Sequence, residues 1–222
     1  MHVQWYGQSA FRLSSQQGTV FIDPFADFSS ASSHGVSFDY PPIKDVAAEL
    51  LLVTHEHMDH NGVQSIDGDP VILRSTAGKL ESPFGEVTAI ASEHDERAGT
   101  ERGPNTIFVF TFDGVRVCHF GDFGQSSLRD EQADAIGDID LLIIPVGGGP
   151  TIGAEQAKEI VDHLRPKWVV PMHYRTPRIS FLDTAEEFLE LMGRVERLES
   201  SGFHTTDISA DAGMVAVVPA AP

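Results

Sequence analysis

The chain is short of positive charge, of cysteine and of long apolar runs. Only 15 lysines and arginines stand against 33 acidic side chains, giving a formal net charge of -18 over 222 residues. Such a surface repels phosphate backbones and anionic headgroups, which argues against nucleic acid and membranes as partners and leaves a small-molecule substrate as the expected one. Cys118 is the single cysteine, so no internal disulfide can form and a reducing compartment is expected. No stretch approaches the ~18 consecutive apolar residues that cross a bilayer. The opening Met1-His2-Val3-Gln4-Trp5 has neither the basic nor the apolar region of a secretory leader. A cytoplasmic location is the expectation, and homo-oligomerisation stays open.

The chain is 41% hydrophobic, enough for one large core. It has no internal repeat, low-complexity tract or Pro/Gly-rich linker, so residues 1–222 are expected to form a single domain. Short strands are predicted over residues 3–6, 10–13, 19–23, 50–53, 71–73 and 87–91, and residues 24–49 read as loop. Asp113-Gly114, between apolar runs at 106–112 and 115–120, is a hairpin signal. The second half changes pattern. An apolar run at 140–146 is broken by Gly147-Gly148-Gly149-Pro150, and Thr151 is placed to cap a helix over 154–164 that Pro166 closes. A strand at 168–171 completes a strand–helix–strand unit. A second helix is predicted over 181–192, capped by Asp183 or Thr184, and a last strand over 213–218. Strands first, then strand and helix in alternation, implies two mixed sheets face to face with helices outside, an α/β (α+β) class.

The densest chemistry lies at residues 54–60, Thr-His-Glu-His-Met-Asp-His, directly after Leu50-Leu51-Leu52-Val53. Imidazole and carboxylate are the donors that Zn²⁺ and similar divalent ions select. His55 and His57 alternate on an extended segment and can face one ion; Asp59 and His60 on the next turn can reach a second. Four donors exceed what one catalytic ion with an open position needs, so two adjacent ions are the natural reading. Three further candidates sit at predicted strand ends: His94, Asp122 and His173.

With these residues in view, the chain resembles the metallo-β-lactamase superfamily of metal-dependent hydrolases. His55-Glu56-His57-Met58-Asp59-His60 matches the superfamily signature at each fixed position. His94, Gly121-Asp122 and Pro171-Met172-His173-Tyr174 follow in the family's order. Softer features, Arg102-Gly103-Pro104-Asn105-Thr106, Gly147-Gly148-Gly149-Pro150-Thr151 and His173-Tyr174-Arg175-Thr176, are similar to the branch of ascorbate phosphate lactonase-like proteins. The resemblance implies an αββα sandwich with two metal subsites at one sheet edge. His55, His57 and His94 would hold one ion, Asp59, His60 and His173 the other, and Asp122 would bridge them. The ions would be Zn²⁺, or Mn²⁺, Ni²⁺ or Fe²⁺. It implies a metal-dependent hydrolase that uses a hydroxide held by two metals to cleave a small ester-type substrate, a phosphodiester or a lactone. The leaving group needs a proton, for which Asp59 and a metal-bound water are the candidates.

Other functions fit the sequence less well. Nucleases of this fold act on RNA or DNA, but the acidic balance and the lack of a basic, aromatic-studded patch oppose that. Di-iron oxidoreductases of the family usually carry a carboxylate where His57 stands, together with an appended flavin domain. Among the remaining candidates, His119 is read as structural or as a support to the ligands, and Asp23 as a partner for a ligand imidazole or a strand end. Cys118 is read as a core residue. Arg102 and Arg175 suit an anionic substrate group or surface ion pairs equally. His2, His34, His163 and His204 carry no supporting context.

Overall fold

The computed structural model describes residues 1–26 and 38–222. Part of the expected 24–49 loop, residues 27–37, lies outside the described residues; the remainder forms no helix or strand.

Two mixed sheets carry the fold. The first runs β13-β1-β2-β3-β4-β5, built from β1 (His2–Gly7), β2 (Ala10–Ser15), β3 (Gly18–Ile22), β4 (Leu50–Val53), β5 (Val71–Arg74) and β13 (Gly202–His204). The second runs β12-β14-β11-β10-β9-β8-β7-β6. Its members are β6 (Gly78–Ser82), β7 (Gly85–Glu93), β8 (Pro104–Phe112), β9 (Val115–His119), β10 (Leu141–Pro145), β11 (Trp168–Met172), β12 (Val195–Arg197) and β14 (Val215–Val218). Its first half is an antiparallel meander, β6 to β9, and its second half is parallel, β9-β10-β11-β14-β12. The β8–β9 turn has Asp113 at φ 52° and Gly114 at φ 75°, the positive pair that the Asp-Gly signal predicts for a tight hairpin.

Alternation along β1 buries Val3 and Trp5, and with Phe11, Leu13, Leu50 and Leu52 they meet Phe108, Val117, Leu142 and Val170 of the other sheet in one core. All four residues of β4 and all five of β10 are buried, as an all-apolar strand covered on both faces requires. On the outer face of the first sheet, Phe21, Leu51 and Val53 lie under Tyr40, Ile43, Ile66 and Leu182. Helices α1 (Asp130–Ile136) and α2 (Ala154–Leu164) touch the second sheet, and α3 (Glu186–Leu191) packs on α2. Among the described residues no helix is long and apolar enough to cross a membrane.

Helix α2 has the expected span because Ala154, Ala157, Ile160 and Val161 make one apolar stripe. Its cap differs from expectation. Gly153, not Thr151, precedes the first turn, and Gln156 Oε1 accepts the Gly153 N–H at 3.2 Å. Arg165, in the left-handed region at φ 48°, ends the helix before Pro166. The helix predicted over 181–192 is confined to α3. Residues 181–183 are held as a strap instead: Arg175 N–H donates to Asp183 O at 2.7 Å and Asp183 N–H to Gly147 O at 2.8 Å. Ala185 stands at the N-cap with no side-chain cap bond, so neither Asp183 nor Thr184 caps the helix. Strands β6, β12 and β13 and helix α1 were not foreseen.

Candidate metal centre

The chain direction in both sheets delivers the seven candidate ligands to one rim. His55 follows β4 after Thr54, His94 directly follows β7, Asp122 lies three residues beyond β9, and His173 directly follows β11. Two groups of donor atoms form there, His55, His57 and His94 in one and Asp59, His60, Asp122 and His173 in the other, with the atoms of each group within 4.8 Å of one another. Asp122 lies between them. Its Oδ2 is 3.2 Å from His94 Nε2 and 3.2 Å from His173 Nε2, and its Oδ1 is 3.2 Å from His60 Nε2. His55 Nε2 stands 4.0 Å from Asp122 Oδ2 and 3.1 Å from His57 Nδ1. His57 is exposed and Asp59 half-buried; the other five are buried.

Each imidazole has two nitrogens, and the chain occupies the outer one in three of the four buried cases. Thr54 Oγ1 donates to Asp23 Oδ2 at 2.7 Å and faces His55 Nδ1 at 3.1 Å, so its lone pair receives that N–H. His60 Nδ1 donates to Asp23 Oδ2 at 2.9 Å. His94 Nδ1 donates to the carbonyl of Pro150 at 3.0 Å. These contacts fix the tautomer and leave Nε2 bare toward the centre, the arrangement a metal-binding histidine needs. His60 Nε2 is buried without a hydrogen-bond partner although carboxylate oxygens converge on it. A cation satisfies that nitrogen and those oxygens together, so the residues present fit divalent ions.

The charges follow the same division. Burial and the neighbouring His60 push His55 down to about 2, and burial lowers His57, so both are neutral near pH 7. Burial opposes charge on His60, but Asp122, Asp59 and Asp23 outweigh it and hold His60 well above its ordinary value. Burial likewise opposes ionisation of Asp122, and His173 and His60 overcome it. An ion entering beside His60 must therefore expel a proton, whereas one entering beside His55 and His57 need not. Lowering the pH is expected to weaken uptake at the carboxylate-rich group more than at the other, because a proton must leave His60 there. Calorimetric titration in buffers of differing ionisation enthalpy checks this: metal uptake beside His60 should release a proton.

The loop after β10 supports both groups. A Cβ at Gly147 would collide with the carbonyl oxygen of His173, so the chain can pass the His173 turn only as glycine. Two residues after Gly148, Pro150 supplies the carbonyl on His94. Gly147→Ala is expected to cost about 1–3 kcal/mol by overpacking and to displace His173. Urea unfolding and metal content after dialysis check it.

Several supports were not foreseen. Gln8 and Ser9, buried in the β1–β2 turn, reach the carboxylates: Gln8 Nε2 donates to Asp59 Oδ2 at 3.4 Å and Ser9 Oγ to Asp122 Oδ1 at 3.3 Å. Asn105 Oδ1 accepts the backbone N–H of Asp122 at 3.0 Å, and its Nδ2 donates to Ser92 Oγ and Phe120 O. Asp23 proves to be the partner of both Thr54 and His60 rather than a mere strand end. His119 is structural, with Nε2 donating to Ser9 O and Nδ1 accepting from Gly121 N–H. Cys118 is buried in the core and burial raises its pKa. Glu56 points away, bound by Arg74, Ser75 and Asn61, and Arg74 draws it down to about 2. The charged loop after His94 is organised by Asp95, whose carboxylate accepts from the backbones of Arg97, Gly99, Glu101 and Arg102. Arg175 donates to the carbonyl of Leu182.

Comparison with known proteins agrees with this geometry. Residues 2–173 match the family described as the beta-lactamase superfamily domain. A UPF0173 metal-dependent hydrolase of Natranaerobius thermophilus is 30% identical over 197 residues, covering 79% of this chain and 84% of that protein. One from Thermococcus kodakarensis is 30% identical over 223 residues, covering 86% and 92%. Among solved structures, a protein from Thermotoga maritima, described as a Zn-dependent hydrolase of the metallo-β-lactamase superfamily, superposes with a TM-score of 0.78 at 29% identity. It covers 98% of this chain and 97% of its own.

Proposed function

The chain belongs to the metallo-β-lactamase superfamily and is a metal-dependent hydrolase, and from that premise we propose that it works with two divalent ions on a small ester-type substrate, a phosphodiester or a lactone. The observation that carries this reading is the pair of donor groups with Asp122 between them. His55, His57 and His94 would hold one ion, and Asp59, His60 and His173 the other, with Asp122 shared. Zinc suits this nitrogen-rich set, and manganese, nickel or iron(II) are competitors. When bound, the ions would supply a solvent nucleophile of lowered pKa and positive charge for the oxygen that becomes negative in the transition state.

The chain's own groups do the rest. Burial opposes charge on Asp59, but His60 holds its pKa below the usual carboxylate range. Asp59 thus stays ionised near neutral pH and is suited to bind a cation, not to deliver a proton to the leaving group. A polar cleft of ≈ 320 Å³ opens beside His94, walled by Arg97, Glu101, Arg102, Thr151 and Gln156. Its volume is at the lower end for small-ligand sites, ~300–1,000 Å³. Arg102 on that wall can meet an anionic substrate group.

Two measurements test the reading. Elemental analysis of protein purified without added metal should give close to two ions per chain. A screen with an activated phosphodiester and a lactone under Zn²⁺, Mn²⁺ and Ni²⁺ should identify the bond. His57→Ala, at the exposed edge, is expected to reduce whichever activity appears by about 10³-fold, since a catalytic ion contributes several kcal/mol. Near-normal turnover in that variant would remove His57 from the site.

A further inference from the structure

Besides His60 Nε2, two buried polar atoms near the centre have no hydrogen-bond partner among the described residues: Gln8 Oε1 and His173 Nδ1. They belong to residues already joined through their backbones, because the Gln8 carbonyl accepts His173 N–H at 3.4 Å, and also Trp5 Nε1–H at 3.0 Å. They are complementary. If His173 presents Nε2 to Asp122 and a cation, its Nδ1 carries the proton and needs an acceptor; Oε1 of an amide can only accept. Among the described residues, His173 is then the one buried imidazole of the centre whose outer nitrogen has no partner, in contrast to His55, His60 and His94.

The place of Gln8 in the chain is unusual. It is 1% exposed and sits in the left-handed region at φ 50°, after Gly7 at φ 108°. A long non-glycine side chain held there costs free energy, and the surroundings must over-determine it. Its Nε2 faces Asp59, a carboxylate that only accepts, which settles the orientation of the amide. A carboxamide is the side-chain group that offers a donor to a carboxylate and an acceptor to an imidazole N–H from one planar unit.

We infer that Gln8 is a positioning residue for the carboxylate-rich subsite: its Nε2–H orients Asp59, and its Oε1 is the buried acceptor available to Nδ1–H of His173. This rests on the two-ion reading above. Gln8 completes for His173 what Asp23 and Pro150 do for His60 and His94, and it ties two ligands of the same ion to one turn. Partners of this kind are worth about 10–100-fold in metal affinity.

The test is a two-step titration of the metal-free protein with zinc against a chromophoric chelator, with imidazole ¹⁵N spectra of the same samples. Gln8→Met keeps length and flexibility but neither hydrogen bond. It should weaken one step by about 10–100-fold, leave the other unchanged, and remove the protected Nδ1–H signal of His173. Gln8→Glu keeps an acceptor and loses the donor. It should retain the His173 signal while still weakening that same step. Equal affinities in wild type and both variants would overturn the inference, as would parallel weakening of both steps, which marks a general scaffold role. A single step in the wild type would instead bring down the two-ion reading, and this inference with it.

Discussion

Asp122→Asn is expected to leave the protein folded, to reduce its metal content, and to cut hydrolysis by about 10³-fold or more. The side chain is buried, and its oxygens stand 3.2 Å from His60, His94 and His173. Asparagine has the same shape, and the backbone bond to Asn105 does not depend on the side chain. What is lost is the one negative charge common to both donor groups. Loss of a bound ion forfeits several kcal/mol of transition-state stabilisation, and each 1.36 kcal/mol is tenfold in rate, hence the estimate. Circular dichroism, elemental analysis and kinetics on one preparation decide it. Two retained ions with activity within tenfold of wild type would show that Asp122 is not shared.

The largest loss of stability is expected from Asp23→Ala. That carboxylate is fully buried and accepts from Thr54 N–H at 2.8 Å, Thr54 Oγ1–H at 2.7 Å and His60 Nδ1–H at 2.9 Å. Removing it strands three donors in the interior, each costing about 1–3 kcal/mol, less where the hydroxyl can rotate to another acceptor. A total of about 3–5 kcal/mol corresponds to a fall in Tm of about 6–20 °C for a chain of this length. His55 loses the fixed Thr54 partner and His60 its orienting bond, so zinc affinity should drop by about 10–100-fold as well. A Tm within about 2 °C of wild type would mean that solvent satisfies these donors, and that the site tolerates their loss.

Much of the centre was legible because its ligands carry local signals. Three histidines and an aspartate within six residues after an apolar strand cannot be hidden by tertiary context. His94, Asp122 and His173 could be picked out because each follows a recognisable strand, and the superfamily resemblance supplied their grouping. Gln8, Ser9 and Asn105 could not be found that way. A neutral amide or hydroxyl in a turn has no characteristic spacing, and its role exists only once β1–β2 and β8 lie beside the metal rim. The missed elements share a weakness of pattern. Strand β6, Gly-Lys-Leu-Glu-Ser, has one apolar residue and no buried position, and β12 and β13 are three residues each. Helix α1 buries only Gln132 and Ile136, too few to show a stripe. The second helix was overextended because its apolar spacing continues into residues that the backbone ties to Gly147 and Arg175.

The donors arrive from β4, β7, β9 and β11, far apart along the polypeptide and on both sheets. Metal held by these donors would act as a clasp between the layers. During synthesis the clasp cannot shut until His173 has left the ribosome and β11 has joined its neighbours, so loading follows collapse of the core instead of guiding it. Once shut, it would have to reopen before the layers could separate, so chelation should speed unfolding more than it slows refolding.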